Sequence, residues 1–303
     1  MGLWATIHSC EIELAGSKFD YEYIIVVNGE GSVKKPTKRS IMGADLERVV
    51  LFLSRAGRLG HLVVRQGNLS PPSARQLGSE HATGKVLFFL DNHCLVAKNY
   101  FARAMSDFDR YGMHMLHSTT KFYEGDITCY EYQLKLARNF WAEAAILPKD
   151  NVRPYRIAAG GHGGFAVLTD TWREVGGYWD GFQGYGGEEM YFDLKMAMFG
   201  KTNWIDPRFV HYHYAGQRPY ARHFSADYYR NMMMCANIIG GEAWMYKVYD
   251  SFFHNFPRTS TPHFDLMVEA SDRSHEHGLW MAGKRLRTLD EQLALFTAED
   301  VAQ

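Results

Sequence analysis

The chain lacks both the cysteine pattern of a disulfide-stabilised protein and any strong excess of charge. It has four cysteines among 303 residues, none of them in Cys-x-x-Cys spacing, so we expect reduced thiols in a cytoplasmic protein. The formal net charge is −1, which provides no general attraction to nucleic acids or membranes. A local basic patch is compatible with that total.

Long hydrophobic runs are also missing. No segment approaches the ~18 consecutive apolar residues that a membrane helix needs. The N-terminus has neither the basic start nor the apolar core of a signal peptide, so we expect a soluble protein without a membrane span. The hydrophobic residues, 46% of the chain, are sufficient for a sizeable core in one large or two small domains.

Residues 86–95 are the most informative stretch. Five apolar residues, 86–90, are followed by Asp91, Asn92 and His93. Such a run is typical of a strand buried on both faces, as in a parallel sheet covered by helices. Active groups of those sheets lie beyond the carboxyl ends of the strands. In an extended segment Asp91 and His93 project to the same side, where they could share a divalent cation with diphosphate oxygens. A simple Asx turn is the alternative.

Strand and helix patterns alternate over roughly residues 21–118, which indicates a parallel α/β sheet. We predict strands at 4–10, 21–27, 61–65 and 86–90, and helices at 44–53 and 73–78. After residue 225 the predicted elements are helices at 227–235 and 242–253, and one amphipathic segment at 289–296 in the polar stretch 257–303.

Two glycine-rich segments form a second candidate site. The run Gly160-Gly-His-Gly-Gly164 brings backbone close to another group without side-chain bulk, and we assign a ligand contact to Gly161. In Gly184-Tyr-Gly-Gly-Glu-Glu189, glycines precede an acidic pair at a predicted helix start. That position tolerates carboxylates, and the glycines would leave room for a ligand. Alternatively, Glu188 and Glu189 only stabilise the first turn.

The stretch 86–95 and the glycine-rich stretch that ends at Glu189 resemble motifs of one family. The strand followed by Leu90-Asp-Asn-His-Cys94, and Gly-Gly-Tyr178 followed by Tyr185-Gly-Gly-Glu-Glu189, are similar to the polypeptide N-acetylgalactosaminyltransferases and related family 2 glycosyltransferases. The resemblance covers roughly residues 21–216. It implies an enzyme that transfers a sugar from a UDP-sugar to an acceptor hydroxyl.

The resemblance also implies the GT-A fold, a mostly parallel central sheet flanked by helices. We expect a catalytic domain at residues 1–225, with a nucleotide-sugar half at 1–118 and an acceptor half at 119–225. Residues 226–303 would then be a helical C-terminal extension.

The family's metal site is expected at the Asp-x-His motif. The resemblance implies Asp91 and His93 as ligands, with a third from the histidine six residues past a proline, which is His213. His211, two residues earlier, is the fallback. Two nitrogens and one oxygen suit manganese or a similar ion better than calcium, so Mn²⁺, or Mg²⁺ in its place, is the expected cofactor.

Donor contacts follow from the same resemblance. In relatives the turn after the strand 21–27 meets the uracil and ribose, and an arginine before the metal motif lies near the sugar diphosphate. A plain glycine-rich turn and a surface arginine are the respective alternatives. Besides Asp91, we predict donor contacts by Asn28, Glu30, Arg75, Asn92, Gly161 and Arg218.

The stereochemical course stays open. The Asp-x-His motif resembles retaining enzymes, in which the position of Glu189 is commonly asparagine. An acid there resembles inverting enzymes, which use it as the general base on the acceptor hydroxyl. The predicted catalytic pair is therefore Glu189 and Glu188, with Glu189 as the base or as an acceptor-binding group.

Several acceptors and two other functions are compatible with the sequence. The acceptor could be a glycan, a protein, or a hydroxymethylated base in DNA, because the chain also resembles compact bacteriophage enzymes that glycosylate such bases. The basic loop 34–39 would then face phosphates. A non-catalytic nucleotide-sugar-binding protein is a rival from another class. A nucleotidyltransferase would require a glycine-rich, lysine-bearing phosphate loop near its start, which the sequence lacks.

Overall fold

The computed structural model describes residues 2–28, 41–65, 70–122, 131–134, 142–145, 153–214, 225–255 and 262–300. The helices are α1 (Leu3–Leu14), α2 (Ile41–Arg55), α3 (Pro71–His81), α4 (Tyr100–Tyr111), α5 (Thr169–Glu174), α6 (Glu188–Met198), α7 (Ala226–Gly240), α8 (Glu242–Asn255), α9 (His263–Lys284) and α10 (Leu289–Asp300). The strands are β1 (Tyr23–Asn28), β2 (Leu59–Arg65), β3 (Val86–Leu90), β4 (Cys94–Val96), β5 (Met115–Phe122), β6 (Glu131–Leu134), β7 (Ala142–Ala145), β8 (Tyr155–Ile157), β9 (Gly164–Leu168) and β10 (Asn203–His213).

A six-stranded sheet forms the centre of the described structure. Its strand order is β3-β9-β5-β10-β4, with β8 also pairing with β10. The strands β1 and β2 form a parallel pair, and β6 pairs with β7. Helices flank the sheet, as expected for an α/β fold.

The sheet is mixed, so the expectation of mostly parallel strands was wrong. Among its described pairs only β5–β10 is parallel, whereas β3–β9, β5–β9, β4–β10 and β8–β10 are antiparallel. An apolar run indicates that both faces of a strand are covered, and it does not fix the direction of the neighbours. Helices cover both faces of β3, where Phe88 packs on Phe101 of α4 at 5.1 Å and Phe89 on Trp172 of α5 at 4.8 Å. Of the five residues, however, Leu87 alone is buried.

The N-terminal segment is a helix, and the strand predicted at 4–10 was wrong. The buried side chains of α1 include Ile7, Cys10, Glu11 and Leu14, which recur every three or four residues and so lie on one helical face. Glu11 accepts a hydrogen bond from the Tyr23 hydroxyl at 2.9 Å. The helix is therefore fixed to β1 by a polar contact as well as by packing.

The C-terminal helices share a core with the sheet. One cluster of buried side chains joins β3 and β9 to α6, α7 and α9. The 22-residue helix α9 was not predicted, because its sequence is polar overall and several of its large apolar side chains are exposed. None of the described helices is both long and apolar enough to span a bilayer.

Lys195 lies within this core. Its side chain is fully buried, and its ammonium nitrogen donates to the carbonyl of Gly177. The same nitrogen lies 4.8 Å from the ring centre of Tyr191 and 6.0 Å from that of Trp280. Burial lowers the pKa of Lys195 to about 7, because the charged form loses its hydration.

We expect the Lys195→Met variant to lose a pH dependence of stability. Above about pH 7 the unfolded chain binds a proton at this lysine that the folded chain has released, so the free energy of unfolding of the native protein should rise towards about pH 10. The variant has no such group. The free energy of unfolding, measured with urea, should therefore favour the variant over the native protein more at about pH 6 than at about pH 9. An advantage that does not change with pH would contradict the low pKa.

Candidate active site

The structure brings together the three side chains predicted as metal ligands. Asp91 follows β3, and its backbone N–H donates to the carbonyl of Gly163 at 3.0 Å. His213 ends β10 and pairs with Cys94 of β4, which places it beside the loop that carries His93. The Nε2 atoms of His93 and His213 are 3.0 Å apart, and His213 Nε2 is 3.5 Å from Asp91 Oδ2. One ligand atom from each residue lies within 4.8 Å of the others.

This geometry fits a divalent cation. Ligand atoms about 2.1 Å from one cation are roughly 3.0–3.5 Å apart when they occupy neighbouring positions, as these two distances are. Asn92 Oδ1 lies 2.9 Å from His93 Nδ1. An amide oxygen only accepts, so the ring proton of His93 is on Nδ1 and its Nε2 lone pair faces His213. Two imidazole nitrogens and one carboxylate suit a first-row ion.

The Asp91 carboxylate is strongly held in its ionised form. Burial alone would raise its pKa, but a hydrogen bond from His213 and the charge of Arg75 lower the pKa of Asp91 well below the usual range. Its side chain is nevertheless 32% exposed. The carboxylate is therefore available to a ligand from one side.

His211 lies outside this set. Its Nδ1 is 2.6 Å from the hydroxyl of Ser118, and burial lowers the pKa of His211 to about 3. A side chain on Gly163 would approach both His211 and His213 to 3.2 Å, so glycine allows this loop to pack against β10. Of the two histidines, His213 is therefore the one that lies with Asp91 and His93.

Arg75 lies on the metal side of the site. One nitrogen of its guanidinium, Nη2, donates to Asp91 Oδ1 at 3.1 Å and to the carbonyl of His162 at 2.7 Å. Arg75 therefore orients the carboxylate of a candidate metal ligand. Its predicted diphosphate contact remains a prediction.

The acidic pair Glu188 and Glu189 begins α6, and the two carboxylates have different hydrogen-bond partners. Glu188 is buried and accepts the backbone N–H of Gly186 at 2.7 Å, which closes the turn before the helix. Glu189 accepts the backbone N–H of His162 at 3.2 Å. Burial raises the pKa of Glu189, and Glu188 adds to the rise. Opposing it, His162 and Arg75 lower that pKa.

The glycines before α6 serve packing. A side chain on Gly186 would come within 2.4 Å of the Tyr228 ring on α7, and Gly186 has a φ of 124°, which few other residues adopt. We had expected these glycines to leave room for a ligand. The structure shows that Gly186 instead lets α7 approach the start of α6.

Two of the four remaining predicted donor residues lie outside the described chain. Asn28 is the last residue of β1. Glu30, Arg218 and the basic loop 34–39 fall outside the described residues. Gly161 lies in the loop before β9, where its carbonyl is 3.4 Å from His117 Nδ1.

One buried polar cluster was missed at the sequence level. It consists of His117, His162, Tyr178 and Asp193, all buried, and it lies directly behind Glu189. His117 and His162 both approach Asp193 Oδ1, at 3.3 Å and 3.0 Å. The available signal was the spacing of Glu189 and Asp193, four residues apart on one helix and therefore on one face.

Comparisons with known proteins agree with this fold. The family described as glycosyl transferase family 2 matches residues 46–172. A curated relative, the probable N-acetylgalactosaminyltransferase 7 of Caenorhabditis elegans, is 26% identical over 147 residues, which are 42% of this chain and 24% of that protein.

Two solved structures share the fold. A crystal structure of GalNAc-T7 with UDP, GalNAc and Mn²⁺ matches with a TM-score of 0.62 at 18% identity, over 90% of this chain and 51% of that one. Residues 1–349 of TarS from S. aureus, in complex with UDP-GlcNAc, match with a TM-score of 0.53 at 13% identity, over 91% of this chain and 75% of that one.

The fold class is therefore confirmed as GT-A, the nucleotide-sugar transferase fold with a central sheet flanked by helices. The glycosyl transferase family 2 model covers residues 46–172 and the curated relative matches 42% of the chain, so this part of the chain is similar to family 2 glycosyltransferases. The chain spans about a quarter of the length of that relative and about half of the GalNAc-T7 chain.

Proposed function

We propose that the chain transfers a sugar from a UDP-sugar to an acceptor hydroxyl with the help of a divalent cation, Mn²⁺ or Mg²⁺. The observation that carries this proposal is the convergence of Asp91, His93 and His213 at the carboxyl end of β3. The ligands of the two similar structures, UDP, GalNAc and Mn²⁺ in one and UDP-GlcNAc in the other, support it.

Each residue of the set has a separate task in this proposal. When bound, the cation would neutralise charge on the diphosphate leaving group. Asn92 orients the His93 imidazole, and Arg75 orients the Asp91 carboxylate. Such outer contacts fix ligand geometry and commonly matter for metal affinity.

Glu189 is the proposed acceptor-side group. Glu189 accepts the backbone N–H of His162, and Arg75 donates to the carbonyl of the same residue. One residue therefore separates the Glu189 carboxylate from the metal end of the site. Burial raises the pKa of Glu189, which makes a carboxylate a better general base near neutral pH. In an inverting reaction Glu189 would take the acceptor proton, and in a retaining one it would bind the acceptor.

The test is release of UDP from a panel of UDP-sugars, with Mn²⁺, Mg²⁺ or a chelator. We expect one sugar to give metal-dependent release that a suitable acceptor increases. Duplex DNA carrying 5-hydroxymethylcytosine or 5-hydroxymethyluracil is one acceptor arm, and glycans and proteins are the others. Metal-dependent UDP binding without release from any sugar would instead support a nucleotide-sugar-binding protein.

A further inference from the structure

His162 connects the two ends of the candidate active site through its backbone. Its N–H donates to Glu189 Oε1 at 3.2 Å, and its carbonyl accepts from Arg75 Nη2 at 2.7 Å. The same Arg75 nitrogen donates to Asp91 Oδ1 at 3.1 Å. The acceptor-side carboxylate and a candidate metal ligand are therefore both positioned by the conformation of this one residue.

The sequence around His162 gives that conformation little intrinsic rigidity. His162 is flanked by Gly160 and Gly161 on one side and by Gly163 and Gly164 on the other. Glycine restricts the backbone less than any other residue, so ordering this loop costs more conformational entropy than ordering an ordinary one. The one side chain in the run is available to anchor it.

The His162 side chain is held at both ring nitrogens. Nε2 lies 3.0 Å from Asp193 Oδ1. The Asp193 carboxylate is ionised, because His117 and His162 hold its pKa at about 2 although burial alone would raise it. An ionised carboxylate only accepts, so the ring proton is on Nε2. Nδ1 then accepts the hydroxyl of Tyr178, with which it is in contact.

Asp193 also holds the loop directly. Its second oxygen, Oδ2, accepts the backbone N–H of Gly160 at 2.7 Å. The His117 ring stacks on the His162 ring with centres 5.3 Å apart and an angle of 22°. The loop is therefore fixed from α6 by a carboxylate, from Tyr178 by a hydroxyl, and from β5 by an aromatic ring.

We infer that His162 is a positioning residue whose side chain, locked by Asp193 and Tyr178, sets the orientation of Glu189 and Arg75 for sugar transfer. This inference rests on the proposed function, which gives Glu189 its acceptor-side role. His162 acts through the groups that its peptide holds. Hydrogen bonds satisfy both of its ring nitrogens.

The chain offers a matched pair of variants as the test. Tyr178→Phe removes the hydroxyl bound to His162, and Tyr191→Phe removes a hydroxyl 2.7 Å from His277 Nε2. Both tyrosines are buried in the same core cluster, so each variant removes one buried tyrosine hydroxyl that lies against a histidine. We expect Tyr178→Phe to lower kcat for UDP release about tenfold and to raise Kd for UDP in Mn²⁺, because His162 positions both Glu189 and Arg75. Tyr191→Phe should leave both within about twofold.

A second variant tests whether Asp193 and Tyr178 act through the same residue. Asp193→Asn should lower kcat as Tyr178→Phe does, and the double variant should be little worse than either single one, because both changes release His162. Additive losses would overturn the shared action. Stoichiometric zinc in the native protein that Asp193→Asn removes would also overturn it, since the cluster would then be a metal site.

Hydrogen exchange separates this inference from the proposed function. Without any substrate, amides of residues 158–168 should exchange faster in Tyr178→Phe than in the native protein, and Tyr191→Phe should not differ there. Unchanged exchange, or unchanged kcat in an active enzyme, would refute the positioning role of His162. A native protein that releases no UDP from any UDP-sugar would refute the proposed function. The exchange result would still decide whether Tyr178 holds His162 and its loop in place.

Discussion

Replacing His213 by alanine should abolish Mn²⁺ binding and lower metal-dependent UDP release on the order of a hundredfold or more. The variant removes one of two imidazole nitrogens that lie 3.0 Å apart and leaves a two-ligand site. A metal that neutralises a leaving diphosphate lowers the barrier by several kcal/mol, and about 1.4 kcal/mol corresponds to a tenfold change in rate. Calorimetric titration of Mn²⁺ and a UDP-release assay measure the two effects.

The same substitution at His211 is the control. His211 is fully buried on the same strand, and it is bonded to Ser118 rather than to the metal set. His211→Ala should reduce thermal stability but preserve the Mn²⁺ affinity. If His211→Ala lost Mn²⁺ and His213→Ala kept it, the described cluster would not be the metal site.

The proximity of Asp91 and His93 could be predicted from the sequence because its signal is local. Asp91 and His93 are two residues apart at the end of an apolar run, so their proximity follows from strand geometry. His213 is 120 residues from His93, a distance that no spacing rule covers. It was found only because residues 206–213 resemble a family motif.

The polar cluster behind Glu189 could not be found in that way. His162 contacts Tyr178 and Asp193, which are 16 and 31 residues away. Such contacts depend on how α6 packs against β9 and β5, which is a tertiary property. His162 lies in the glycine run 160–164, whose sequence predicted only a close approach of the backbone to another group. Buried polar side chains satisfied by distant partners leave no periodic trace in a sequence.

The errors in the fold have the same origin. The strand predicted at residues 4–10 is part of a helix, whose buried positions Ile7, Cys10 and Leu14 have the helical spacing, but only packing against β1 and β4 shows that this face is the buried one. Strand direction in the sheet depends on which segments pair across it. Composition and local patterning indicated the α/β class correctly, and the order and direction of the strands required the structure.

Glu189→Gln should lower kcat by roughly a hundredfold to ten-thousandfold if the reaction inverts, the usual contribution of a general base. Only the ionised carboxylate can take the acceptor proton. The rate of the native enzyme should therefore rise with pH through the pKa of Glu189, which burial places above the ordinary glutamate range. The variant should lack this rise of kcat at low pH, which is the acidic limb of the pH profile. The measurement is kcat against pH for both proteins.

The neighbouring glutamate provides a variant with a different signature. Glu188 contributes to raising the pKa of Glu189, because two negative charges at a helix start repel each other. Glu188→Gln removes that charge, so the acidic limb should remain and move to lower pH. The same variant weakens the acceptor of the Gly186 N–H, and a lower melting temperature should accompany the shift. A limb that stays in place would show that another group controls it.

The anomeric configuration of the product decides what the Glu189→Gln result means. An inverted product together with a large fall in kcat and a lost acidic limb assigns the general base to Glu189. If the product retains its configuration, no acceptor proton is taken by a base on the opposite face, and the same variant should mainly raise KM for the acceptor. The two outcomes differ in three independent measurements, so one variant separates a carboxylate that moves a proton from one that holds a substrate.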